Sequence, residues 1–127
     1  MHEAATLTPA QKRRYARQVL LREFGEAGQL RLCATQARLP SDADPRAAAV
    51  AADYLARAGL AVGDAVAARE LQLPDRDAVR ALAGSPSLEQ AASALCGAFA
   101  AVEAIKAALG VGASAKLPAE LQLGRSA

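Results

Sequence analysis

Aromatic residues are nearly missing from this chain: two Tyr, two Phe and no Trp make up 3% of its 127 residues. A core without rings has to be filled by aliphatic side chains, and 35 residues are alanine within a 53% apolar composition, which favours helices that approach one another closely. Only one histidine is present, His2, near the end of the chain, so Ser/His/Asp constellations are excluded. The two cysteines, Cys33 and Cys96, stand 63 positions apart without a CxxC or a histidine partner, which argues against a zinc site or a disulfide framework. No G-x-x-x-x-G-K-[ST] stretch occurs, so hydrolysis of the Walker type is excluded as well.

Long apolar runs are also lacking. The N-terminal MHEAATLTPAQKRR has no apolar signal core, and the longest apolar-rich run, Ala91 to Val102, is interrupted by Ser93 and Gly97 and falls short of the ~18 residues that span a bilayer. The expectation is a cytoplasmic protein with reduced thiols and no membrane partner. Charge is nearly balanced, with 15 basic and 13 acidic residues. Its distribution is uneven: residues 1–38 carry seven basic residues against three acidic ones, so the N-terminal third is the anion-seeking part.

At this length the size prior gives one domain, 1–127. Thr8-Pro9 predicts an N-cap and first turn, followed by a helix over 9–24 with Tyr15, Val19, Leu20 and Phe24 as its apolar positions. A short helix is expected over 26–33. LPSDADP, residues 39–45, is dense in turn formers and predicts a loop. Asp44 and Pro45 then open an alanine-rich helix over 45–58, which Gly59 ends in a left-handed cap. Residues 60–66 fit a hairpin turn or a helix cap. RELQL at 69–73 alternates polar and apolar residues and recurs as AELQL at 119–123, which suggests two short strands paired antiparallel, with a helical turn ended by Pro74 as the other reading. Asp75 caps a short helix ending at Gly84. Ser87 and Gln90 form a capping box for a long helix that runs to Ala108 and stops at Gly110. On it Leu95, Phe99, Val102, Ile105 and Leu109 make the large apolar stripe. Gly97, Ala98, Ala101 and Ala104 leave a smooth strip for another helix backbone.

Chemistry-bearing residues are sparse. Cys96 lies inside the apolar run LCGAF, where desolvation silences a thiol. Asp42, Asp44 and Asp53 gather around the start of the helix at 45–58, and capping by Asp44 with solvation of the others accounts for them without a metal. The basic set on the first helix lacks interleaved aromatics for stacking, so a solvated face explains it better than nucleic acid does.

Arg14 to Leu32, RYARQVLLREFGEAGQLRL, resembles the N-terminal signature of the ThiF/MoeB/HesA family, the bacterial relatives of ubiquitin-activating enzymes, which begin RYxRQ-x-LL-x-E-x-G-x-x-GQ-x-x-L. Ala37 to Leu60 is similar to the continuation through Ala37, Arg38, Tyr54, Leu55, Ala56, Ala58 and Gly59. Leu95 to Gly110 resembles the late helix of the family through Gly97, Ala101, Glu103, Ile105, Lys106 and Gly110. The likeness covers about half the chain. It fails where the chemistry would lie: the four glycines of the family's nucleotide loop fall on Ala43, Pro45, Arg46 and Ala48, which removes backbone access and a donor for phosphates.

The resemblance implies a mainly α fold with a small β component, the remnant of a Rossmann-type α/β adenylation domain without its glycine-rich loop. It implies a non-catalytic pseudoenzyme with no cofactor or metal, whose partner is a second copy or an active adenylating enzyme of a ubiquitin-like or sulfur-carrier pathway. Gly97, Ala101 and Ala104 are the expected interface. Arg17, the arginine that in such dimers reaches the neighbouring subunit's nucleotide phosphates, is either a phosphate contact in trans or an ordinary surface charge. The alternative from another class is a nucleic-acid or anion binder that uses the basic helix.

Overall fold

A computed structural model describes residues 6–16, 25–118 and 121–124. The elements in order are α1 (Pro9–Arg14), α2 (Gly25–Ala34), β1 (Gln36–Arg38), α3 (Pro45–Ala58), β2 (Ala61–Val62), β3 (Arg69–Glu70), α4 (Arg76–Ala83), a 3-10 turn (Pro86–Leu88) and α5 (Glu89–Leu109). The chain is mainly helical with one small sheet, as the composition leads one to expect.

Local cap chemistry sets most boundaries. Thr8 and Gln11 form a reciprocal capping box at α1, which closes at Tyr15; the continuation expected to residue 24 lies outside the described residues. Asp44 caps α3 by accepting from the Ala47 amide at 3.0 Å, and Gly59 ends that helix at a φ of 107°, a left-handed conformation in which a Cβ is strained. Asp75 caps α4 in the same way. The start of α5 departs from expectation. The helix is entered through the 3-10 turn without a side-chain cap, and the Ser87 hydroxyl lies 3.2 Å from that of Ser85 instead.

The sheet is parallel, in the order β2-β1-β3, with Ala37 opposite Val62 on one side and Arg69 on the other. This corrects the expected antiparallel pairing of residues 69–73 with 119–123. The crossover through α3 returns the chain alongside β1, and a return of that kind is parallel. In the C-terminal repeat, the Leu123 and Gly124 amides donate to Leu82 O and Ala83 O at 2.8 and 3.0 Å. They thereby satisfy carbonyls that the end of α4 leaves without helical partners.

The core lies between α3 and α5. Ala47, Ala51, Leu55 and Ala58 of α3 are buried, as are Ala92, Ser93, Cys96, Gly97, Ala100, Ala101 and Ala104 of α5. A Cβ on Gly97 would stand 2.8 Å from Val50 Cβ and 3.1 Å from the Ala51 nitrogen, so the two backbones touch there. Gly97, Ala101 and Ala104, read from sequence as a surface for another chain, are covered by this chain's own α3. Of the large stripe, Leu109 is buried, Leu95, Phe99 and Ile105 are half-buried, and Val102 is exposed. Because α3 brings mostly alanines to the crossing, with Val50 against Gly97, the closest approach, and with it the most dispersion contact, comes from the smooth face of α5. Pro86–Leu109 is long and apolar enough to cross a bilayer by length and composition, a property that a core helix shares.

Candidate functional site

In open parallel sheets, ligands enter where the strand order reverses, at the carboxyl ends of the strands. Here that place lies beyond β1 and β3, and two contacts close it. The Asp44 amide donates to Pro74 O at 2.8 Å, joining the loop after β1 to the segment after β3. The Asp44 carboxylate is buried, and its Oδ2 accepts from the Ala47 amide and, at 2.8 Å, from the Ser93 hydroxyl on α5. The N-terminus of α3 therefore already holds an anion, from its own chain. Pro45 at the first helical position supplies no N–H, so this helix end has one donor fewer for an incoming anion.

A second cluster joins α2 to the far end of α3. Gln29, fully buried, donates from Nε2 to Ala58 O at 2.8 Å and contacts Cys33 Sγ at 3.7 Å. A Cβ on Gly59 would fall 2.6 Å from that Nε2 and 3.3 Å from Tyr15 Cζ, so the glycine makes room for the glutamine. Sequence reading placed Gln29 in the signature and missed its task, for which a buried amide two residues before Arg31 gives no local signal.

Four basic residues of the N-terminal third have partners within the fold. Arg14 donates to Ala56 O in the last turn of α3, Arg31 to Leu109 O at the end of α5 and Arg38 to Ala68 O, while Lys12 lies 3.9 Å from Glu26. Guanidinium groups at helix C-termini complement the dipole there. Three of the arginines that made this third look anion-seeking thus already meet carbonyl oxygens. Arg17 lies outside the described residues.

Of the three aspartates, Asp44 is the buried cap and Asp53 pairs with Arg57 at 3.1 Å. Among the described residues, no group of three or more His, Cys, Asp and Glu side chains could hold a metal ion. Burial, and secondarily the nearby Asp44 charge, pushes the Cys96 thiol up from its ordinary pKa. Cys33 is half-buried.

An open groove of about 1240 Å³ lies between β3 with its continuation to Pro74, α4, α5 and the C-terminal stretch. Leu71, Leu73, Leu82, Phe99 and Leu117 give it apolar walls. Sequence reading did not find it, because residues far apart in the chain build it. No protein family, curated protein or solved structure with which the chain was compared matches it.

Proposed function

We propose that this chain is a non-catalytic interaction subunit, the remnant of a Rossmann-type adenylation domain resembling ThiF/MoeB/HesA proteins. In this reading it binds a second copy of itself or a catalytically complete adenylating enzyme, and so supports activation of a ubiquitin-like or sulfur-carrier protein. The reading rests on α5, which is apolar on both faces while α3 covers only one. Opposite the Gly97–Ala101–Ala104 face stand Ala91, Leu95, Ala98 and Val102, with Val102 47% exposed. A surface helix of a monomer would normally carry charges on that side.

The pattern of kept and lost residues supports the same reading. Tyr15, Gly28, Gln29, Leu32, Ala37, Leu55 and Ala58, all in the stretches that resemble the family, are buried and hold α2, β1 and α3 together. The positions that would cradle phosphates carry Cβ atoms and a proline beside the buried Asp44 carboxylate, which would repel an incoming phosphate. The interface is therefore moved from Gly97, Ala101 and Ala104 to the outer face of α5. Light scattering on the full chain tests it: an oligomer is expected that Leu95→Ser and Val102→Ser dissociate without loss of helicity. A monomer that also fails to co-purify with an adenylating enzyme would overturn the reading, and micromolar MgATP affinity by calorimetry would overturn its non-catalytic part.

A further inference from the structure

The outer face of α5 carries a pattern of its own. Ala91, Leu95, Ala98 and Val102 follow one another at steps of four, three and four, the spacing that keeps successive residues on the seam between two paired helices. The same spiral continues into Ile105 and Leu109, but these pack into the chain's own core. The open seam is therefore the stretch from 91 to 102, in which Ala91 and Val102 are exposed and Leu95 and Ala98 half-buried. No residue from Gln90 to Val102 is charged, and exposed Ala94 beside the seam adds no bulk that would hold a second backbone away.

Along the seam the side chains run small, large, small, large. Turned end for end about the midpoint between Leu95 and Ala98 and laid against itself, the seam sets Ala91 opposite Val102 and Leu95 opposite Ala98. Every layer then joins one large side chain to one small one, the alternation that lets facing helices interdigitate without voids or clashes. A parallel pair in register would set leucine against leucine and valine against valine, and would leave the alanine layers hollow. Antiparallel pairing also presents the same patch from both molecules, as the two-fold dimers that dominate soluble oligomers do.

Resting on the reading of this face as the interface, we propose that its occupant is a second copy of this chain, with the two α5 helices antiparallel across a two-fold axis between Leu95 and Ala98.

Disulfide trapping on the full chain tests the proposal, with Ala91→Cys and Val102→Cys placed in separate chains and far-UV spectra checking that both fold. In the antiparallel pair each of these positions lies ~16 Å along the axis from its own copy, at 1.5 Å per residue, beyond the ~7 Å between Cα atoms that a disulfide bridges. Oxidation of the mixed chains should join the Ala91→Cys chain to the Val102→Cys chain, while neither variant alone is linked at its substituted position. Mass spectrometry of peptides reads this out. Leu95→Ser in both chains should cut the yield tenfold or more. Ala98→Leu, which sets leucine against leucine at both central layers, should weaken association tenfold or more by light scattering. A link within either variant alone would make the pair parallel, and no link in the mixture would remove the second copy from this face; each overturns the proposal. Neither result sinks the wider reading if Leu95→Ser still abolishes co-purification with an adenylating enzyme, because the face then remains an interface for that partner. If neither a second copy nor the enzyme binds, both fall.

Discussion

Ser93, on the long helix α5, donates its hydroxyl to the Asp44 carboxylate at 2.8 Å, and both residues are buried. One carboxylate thereby caps α3, anchors α5 to its N-terminus and fills the place at which a helix end receives an anion. Removing the two partners should not cost the same. Asp44→Ala loses the cap, ~1 kcal/mol, and leaves a buried hydroxyl without its acceptor, a further ~1–3 kcal/mol. Ser93→Ala removes only the hydrogen bond, and Asp44 still caps Ala47. Urea denaturation should rank Asp44→Ala as clearly the less stable; equal midpoints would show that the cap to Ala47 adds nothing beyond the Ser93 contact.

The two faces of α5 should respond differently. Gly97→Leu forces a side chain against Val50 and the Ala51 backbone, where a Cβ alone is already too close, and overpacking of this kind costs ~1–3 kcal/mol or more. Loss of cooperative unfolding is expected. Leu95→Ser, on the half-buried outer face, should keep the melting transition within a few degrees while reducing the oligomer. Dissociation by Gly97→Leu with intact stability would return the interface to the small-residue strip.

What was legible in the sequence was what local chemistry decides. Asp44, Asp75, Gly59, Gly84 and Gly110 mark helix ends through their own backbone and cap requirements, and each is found at an end. The strands were not legible. Gln36–Arg38 and Ala61–Val62 are three and two residues long and owe their conformation to one another and not to β propensity. The core face of α5 misleads for a related reason. Side-chain size points to Leu95 and Val102, but the partner helix is rich in alanine, and contact distance decides. The Asp44 cap was visible, whereas its bond to Ser93 depends on a crossing between α3 and α5 that no local pattern encodes.

Thiol reactivity should separate the two cysteines. Burial holds the Cys96 thiol above its ordinary pKa, so little thiolate forms near neutrality, and the thiolate is the nucleophile. Half-buried Cys33 should be alkylated by iodoacetamide at pH 8 first, with Cys96 following only on unfolding, as mass spectrometry of peptides would show. Equal rates would mean that the groove is open to solvent at Cys96.

Glu103 ties the C-terminal stretch in a pH-dependent way. Its hydrogen bond to Lys106, then that from the Ala115 amide, hold its pKa below the ordinary value. A depressed carboxyl stabilises the fold above the unfolded value of ~4.3, and that contribution fades as pH falls through the folded one. Hydrogen exchange at the Ala115 amide, corrected for intrinsic rates, should accelerate as the pH falls below ~4.3. Glu103→Gln should flatten that dependence, and an unchanged slope in the variant would assign the acid sensitivity elsewhere.

Arg17 is the one position where the resemblance leaves a chemical act open. It lies in the RYARQ segment beside Arg13 and Arg14, and of these Arg14 already donates to Ala56 O. If the proposed heterodimer forms, the planar fork of Arg17 suits a phosphate held by the partner enzyme. Arg17→Ala should leave pairing intact, which co-purification and the far-UV spectrum of the variant complex check. Adenylation by the partner should then slow by ~10-fold or more, because a guanidinium that stabilises phosphoryl-transfer charge in trans contributes far more than a surface ion pair. The rate of pyrophosphate exchange by the complex, compared at equal occupancy, reads this out, and Arg17→Lys should restore only part because an ammonium lacks the two-pronged geometry. An unchanged rate in the Arg17→Ala complex would make Arg17 a surface charge and leave the chain's contribution to its partner as contact alone.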